Sequence, residues 1–392
     1  MKAPETIIKP EIIQWARTRT GLTVQDFAKK MRVSENTINA WETGKAPISI
    51  VHARQLADLS LVPFGCLFLS EIPKRDLALP DFRTVNNTQV KKPSPELEAT
   101  VQEMQEKQLW LREFLMENDP PEHSWIGSIS VQTPVTDAVG RIRAVLGIDD
   151  DEMESCASWD AYFSLLVQKI EDAGIMVIRN GVVGNNTHRP LDIGEFRGFV
   201  LVDPIAPLIF INGQDHKNPQ MFTLIHELVH VFLGQSGLVD PFGDTSNRTE
   251  RYCNKVAAEF LVPGNRLRSF WKALTKEQPD IEFAIHKATR HFKVSSCVVI
   301  LRCKELGLIS PPQANELWEE ETALFRQQRQ NRSGGGDFFA SLKFRVGQTF
   351  ARIVISELYN QNISYGEAFR LLRVKDMQGI RKLSEKVGLP IL

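Results

Sequence analysis

The sequence predicts a multidomain, mainly α protein with a small β-sheet, in three parts: a five-helix N-terminal domain, a central α+β domain and a small C-terminal helical module. Three observations predict it. Helical periodicity of apolar residues dominates residues 10–70, 137–177 and most of the chain beyond 213. Two short runs, FRGFVLVD (196–203) and PLIFIN (207–212), have the Phe, Val and Ile content of strands. Two polar stretches, LPDFRTVNNTQVKKPSPE (79–96) and QQRQNRSGGGD (327–337), punctuate the chain as linkers. The resulting divisions are 9–70, a linker with a connecting helix at 71–135, a central domain at 136–310, a helical and flexible linker at 311–336, and a C-terminal module at 337–392.

Composition narrows the function classes. At 392 residues the chain exceeds one ordinary domain of roughly 100–200 residues. A net charge of −1 gives no whole-chain attraction to nucleic acid or to an anionic membrane. The five cysteines are odd in number, scattered and without CxxC spacing, which argues against a disulfide framework and for a reducing compartment. The N-terminal MKAPETIIKPEIIQWA has no apolar signal core, and no stretch reaches the roughly 18 apolar residues of a membrane span. A soluble cytoplasmic protein with no membrane contact is expected.

Residues 22–44 read LTVQDFAKKMRVSENTINAWETG. Thr23 and Asp26 form a capping box opening one helix, and Ser34 caps a second that begins at Glu35. Phe27, Ala28, Met31, Val33, Ile38 and Trp41 are expected to face a common core. Gln25, Ser34, Glu35, Asn36, Thr37 and Asn39 then sit on the outside, where amide and hydroxyl groups can match base-edge donors and acceptors in a major groove. The pattern over residues 9–70 resembles Xre/Cro-type helix-turn-helix repressors. That resemblance implies binding to double-stranded operator DNA, as a homodimer on paired half-sites. Local charge is modest: residues 10–62 hold seven Lys or Arg (17, 19, 29, 30, 32, 45, 54) against five Asp or Glu (11, 26, 35, 42, 58). The bland alternative is a helical module that only packs or binds protein.

The central domain holds MFTLIHELVHVFLG (221–234). Residues four apart share a helix face, so His226 and His230 can aim two imidazoles at one ion, while Glu227 sits about 100° around the axis, within reach of water at that ion. Leu224, Leu228, Val231 and Phe232 bury the other side. An ordinary amphipathic helix would need no third ligand, yet TERYCNKVAAEFLVP (249–263) supplies Glu250, with Asn254 on the same face to orient a ligand. Glu259 is the competing carboxylate, but it adjoins the apolar run. A bound zinc ion would acidify water and polarise a carbonyl, making Glu227 the expected proton acceptor. His188, His216 and Tyr252 are unranked candidates for an oxyanion donor, each more often a plain surface or packing residue, and FRGFVLVD is expected to offer a free edge to an extended substrate.

In this order FRGFVLVD, PLIFIN, FTLIHELVHVFLG and ERYCNKVAAEFLVP, together with HFKVSSCVVILRCKELGLIS, are similar to the ImmA/IrrE family of metallopeptidases over about residues 160–310. The resemblance implies a zincin-like fold and a zinc endopeptidase. Cys253 and Val256 stand where the family commonly has Ala and Phe. Both are small or apolar and are expected to leave ligation untouched.

VSSCVVILRCKELG has the outline of a second helix-turn-helix with Ser295 as cap, but its Val298, Val299, Ile300 and Leu301 read as core. In the C-terminal FASLKFRVGQTFARIVISELYNQNISYGEAFRLLRVKD a long amphipathic helix is followed by a capping box at Ser364 and Glu367, with Lys343, Arg345, Arg352, Arg370 and Arg373 along it. The module resembles tails of family members encoded as antitoxins, which implies a cognate toxin as partner. Two functions follow: a DNA-binding zinc endopeptidase that regulates transcription or a stress, prophage or toxin response by cleaving a regulatory protein such as a repressor; or an autorepressor and antitoxin whose peptidase fold is mainly a scaffold.

Overall fold

The structure is a computed structural model that describes residues 8–60, 62–72, 93–215, 217–239, 248–277, 280–330 and 338–389. It divides into two compact units, residues 1–78 with 89–103, and residues 79–88 with 104–392. Most of the first linker, all of residues 331–337 in the second, and His216 lie outside the described residues.

In the first unit α1 (Pro10–Arg19), α2 (Val24–Met31), α3 (Glu35–Glu42) and α4 (Ile50–Ser60) are followed by a short 3-10 helix at Phe64–Phe68, so the fifth helix is a single tight turn. Helix α5 (Pro95–Glu117) begins in this unit and continues into the second. Phe27, Ala28 and Met31 of α2 close on Ile38 and Trp41 of α3, with Ile12 and Ala16 of α1 and Ala53 and Leu56 of α4 completing one core. Thr23 caps α2 by accepting from the Asp26 N–H at 3.1 Å, and its hydroxyl donates to the Asp26 carboxylate at 2.8 Å. Arg32 ends α2 in the left-handed region at φ 55°, and the Val33 N–H returns to the Ala28 carbonyl at 3.1 Å, which stops the helix with its carbonyls satisfied.

The second unit opens with α6 (Val135–Leu146), α7 (Asp150–Ser155) and α8 (Trp159–Asp172), then β1 (Met176–Asn180), β2 (Gly198–Leu201), β3 (Leu208–Asn212), α9 (Lys217–Leu233), β4 (Gly237–Val239) and α10 (Arg248–Leu261). Helices α11 (Gly264–Glu277), α12 (Ile281–Phe292), α13 (Ser296–Glu305), α14 (Pro311–Gln330), α15 (Phe338–Val346), α16 (Gln348–Tyr359), α17 (Tyr365–Leu372) and α18 (Met377–Lys386) follow. Among the described residues the sheet runs β1-β3-β2-β4, with β1 parallel to β3 and the other two pairings antiparallel. Sequence reading finds β2 and β3 and merges β1 into the preceding helical region. The residues Met176–Ile178 are apolar and all buried, but the run is too short to show a period beside the long helix α8.

Helix α9 packs on β2 and β3 and is buried on nearly every side between Met221 and Phe232. A surface helix would expose a polar stripe. Here His226, Glu227 and His230 are inside, with the attendant desolvation cost. The C-terminal end of α9 is held by a neighbouring segment: the Gly127 and Ile129 N–H groups donate to the Val231 and Phe232 carbonyls at 3.4 and 3.2 Å. Gly127 and Gly234 both take positive φ and touch backbone to backbone there, leaving no room for a Cβ on Gly234 without movement.

Two C-terminal expectations are corrected. The single long amphipathic helix is broken at Gly347, φ 89°, where the buried Glu171 carboxylate of α8 accepts from the Gln348 N–H and the Thr349 hydroxyl at 3.1 and 3.2 Å and so caps α16. The capping box at Ser364 is half made. Ser364 accepts from the Glu367 N–H, but the Glu367 carboxylate accepts from the Trp110 indole at 3.0 Å instead of turning back. The C-terminal helices are therefore part of the second unit, with α15 packed on β1. In α13, Val298, Val299 and Ile300 are buried as core, whereas Leu301 is half exposed.

Candidate functional site

The His226, His230 and Glu250 side chains converge. Successive turns of α9 place the two imidazoles on the face toward α10, and the first turn of α10 carries Glu250 across from them. The two Nε2 atoms are 3.1 Å apart, and the Glu250 carboxylate oxygens lie 3.0 Å from His226 Nε2 and 3.2 Å from His230 Nε2. Donors bonded to one tetrahedral ion at about 2.0–2.1 Å are about 3.3 Å from one another. The set fits such an ion. His226 Nδ1 lies 2.9 Å from Asn254 Oδ1, so an Nδ1–H donated to the amide oxygen leaves Nε2 with its lone pair turned toward the centre.

Glu227 is fully buried, and among the described residues neither of its oxygens has a hydrogen-bond partner; His230 Nδ1 is buried in the same condition. Burial first, and then the charge of Glu250, pushes the Glu227 carboxyl well above the usual carboxylate range. For Glu250, burial also pushes upward, but the hydrogen bonds from His226 and His230 outweigh it and hold the carboxyl below its ordinary value. Burial lowers His230, against the upward pull of Glu250. Native interiors rarely leave a buried carboxylate unpaired. A cation beside these donors is the group that would offset the cost.

Two residues of this site were not assigned to it by spacing. A Cβ built on Gly198 would lie 2.9 Å from Glu227 Oε1 and 2.7 Å from Thr223 Cγ2, so only glycine lets β2 pass this close to the carboxylate. The one sequence signal is a glycine inside a strand run, which marks close backbone approach. Cys253 is fully buried, and its donor atom and those of His226 and His230 all lie within 4.8 Å of one another. The expectation that Cys253 is a bystander therefore no longer follows. Burial, then Glu250 and Glu227, pushes its thiol well up.

The competing carboxylate Glu259 is turned away, paired with Arg302 and accepting from the Gly264 N–H. Tyr252 donates its hydroxyl to the Thr133 carbonyl at 2.9 Å, and His188 is exposed. The free edge expected of β2 is absent between Gly198 and Val200, because β4 pairs with it there, opposite β3.

In the first unit Gln25, Glu35, Asn36 and Asn39 are exposed on α2 and α3. The Ser34 hydroxyl accepts from the Thr37 N–H at 3.1 Å and lies 2.8 Å from the half-buried Thr37 hydroxyl, so this pair sets the start of α3. Arg17 and Arg19 are engaged by Glu42 and Glu98; Glu98 lies outside the 10–62 count, so its pairing reduces the already small basic excess.

Comparison with family models agrees with this layout. Residues 13–59 match a helix-turn-helix model, residues 170–304 match the peptidase family described as the IrrE N-terminal-like domain, and residues 346–386 match a domain of unknown function. No curated protein matches the chain. None of the described helices is long and apolar enough to cross a membrane.

Proposed function

Starting from a chain that carries an IrrE N-terminal-like peptidase domain behind a helix-turn-helix domain, we propose a DNA-binding zinc endopeptidase that cleaves a regulatory protein. The observation that carries this reading is the convergence of three metal-type donors beside the buried, partnerless carboxylate of Glu227. His226, His230 and Glu250 hold the ion, and Asn254 orients the first imidazole. A bound divalent cation supplies Lewis-acid chemistry, acidifying water and polarising a peptide carbonyl. Glu227 accepts the proton of the attacking water and returns it to the leaving amine. Burial beside the imidazoles places the carboxylate where it can exchange a proton with that water. Gly198 keeps β2 close to Glu227 and fixes the carboxylate's position.

Gln25, Glu35, Asn36 and Asn39 read base edges, with Ser34 and Thr37 holding the start of the reading helix. With so small a basic excess, one copy binds weakly, and a homodimer on paired half-sites supplies the affinity. The test is a comparison of protein fragments in cells carrying the intact chain and Glu227→Gln, with metal content measured on both purified proteins. Equal metal content and fragments only with the intact chain support the reading. Identical fragment patterns with both, and no further fragments with Cys253→Ala, would overturn it in favour of a regulatory scaffold.

A further inference from the structure

We propose that Cys253 is a fourth protein ligand that closes the metal site and holds the peptidase latent, an inference that rests on reading the site as a metal centre. Glu250 and Cys253 are three residues apart on α10 and so share its inner face, with Asn254 beside them. The Cys253 sulfur is fully buried, and it and one ring nitrogen each of His226 and His230 lie within 4.8 Å of one another. In a tetrahedral site with nitrogen at about 2.0–2.1 Å and sulfur at about 2.3 Å, sulfur and nitrogen are about 3.6 Å apart. Because 4.8 Å bounds the present separations, a change on the order of 1 Å brings the sulfur to that distance. Glu227 is the second observation. Its carboxylate, on the turn of α9 that carries both imidazoles, is fully buried and has no hydrogen-bond partner among the described residues. The cluster has one donor more than a His, His, Glu set requires.

Charge favours the fourth bond. Two neutral imidazoles, one carboxylate and one thiolate carry two negative charges, which neutralise a divalent cation in a largely buried site. As the sulfur bonds to the cation, the S–H bond breaks and its proton leaves to solvent. The position otherwise available to water is then filled, and Glu227 has nothing to deprotonate. Sulfur also biases the site toward softer ions such as Zn²⁺ over Mg²⁺ or Ca²⁺.

The test loads the full chain with cobalt(II) under reducing conditions and reads its absorption spectrum. Wild type is expected to show visible tetrahedral cobalt bands together with a near-ultraviolet sulfur-to-cobalt charge-transfer band. Cys253→Ala keeps the visible bands, loses the near-ultraviolet band despite four remaining cysteines, and gains at least about tenfold in peptide hydrolysis. X-ray absorption of zinc-loaded wild type, which needs no variant, is expected to show one sulfur at about 2.3 Å. Bound metal without a sulfur signal in wild type overturns the proposal and leaves the metal reading standing. A sulfur signal that persists in a folded Cys253→Ala protein also overturns it. A folded wild-type chain that takes up no metal overturns both.

Discussion

Helix α10 carries two buried charge clusters, one at each end, and they are built on opposite terms. Near its C-terminal end Glu259 pairs with Arg302, which also reaches Glu305 and the Val262 carbonyl, while the second Glu259 oxygen accepts from the Gly264 N–H. Every charged group there has an ion-pair or hydrogen-bond partner. At the N-terminal end Glu250 faces two imidazoles, and alongside it Glu227 and His230 Nδ1 are buried without partners. A satisfied cluster ties helices together, whereas an unsatisfied one in the same core costs stability and persists where something else is meant to complete it. The contrast separates architecture from chemistry on a single helix.

Truncating the satisfied cluster should have the largest effect. Arg302→Ala strands Glu259 and should lower unfolding free energy by about 3–5 kcal/mol in urea titration; a loss below about 1 kcal/mol would show that the pairing is incidental. Next is Glu171, a buried carboxylate outside both clusters, whose pKa burial raises to about 7 despite hydrogen bonds from Thr349 and Gln348 that lower it. Its folded value lies above its ordinary 4.5, so the folded state holds the proton more tightly and stability falls as pH rises from 4.5 toward 7. The drop is on the order of 3 kcal/mol. Denaturation midpoints between pH 5 and 8 should show this slope, and Glu171→Gln should flatten it. In the unsatisfied cluster the sign reverses. Glu227→Met removes two partnerless oxygens at similar volume and should stabilise the metal-free protein by about 1–3 kcal/mol. A destabilised Glu227→Met protein would mean that the carboxylate already has a structural partner. The smallest effect belongs to Asn254→Ala, which frees the His226 ring and should weaken metal affinity by about 10- to 100-fold while the fold is kept; competition with a chelator measures it.

Local chemistry made part of the molecule legible. His226, His230, Glu250 and Asn254 fall at helical spacings, so their faces follow from counting once the helices are granted, and the structure brings those side chains together. What local chemistry did not carry is shown by three turns of one design. Arg32-Val33, Lys293-Val294 and Arg373-Val374 each put a basic residue in the left-handed region, and each valine N–H bonds back five residues before a Ser or Asp caps the next helix. The turn is the same, yet α3 exposes Glu35, Asn36 and Asn39, whereas α13 buries Val298, Val299 and Ile300. Burial, not the turn, distinguishes them. The break at Gly347 was hidden because amphipathic periodicity runs through it and the capping carboxylate, Glu171, comes from far away in sequence. Strand β1 is absorbed by its helical neighbour, β4 has only three residues, and the nearness of Gly198 to Glu227 is purely tertiary, whereas Cys253 shares the helical spacing of Glu250.

The most direct measurement is the metal content of the full chain purified without added metal, set against His226→Ala, with circular dichroism on both. Zinc at close to one equivalent in the wild type, lost in a His226→Ala protein that stays folded, is the predicted result. A folded wild-type protein that binds no divalent cation and is unchanged in stability by zinc or by a chelator would contradict the account.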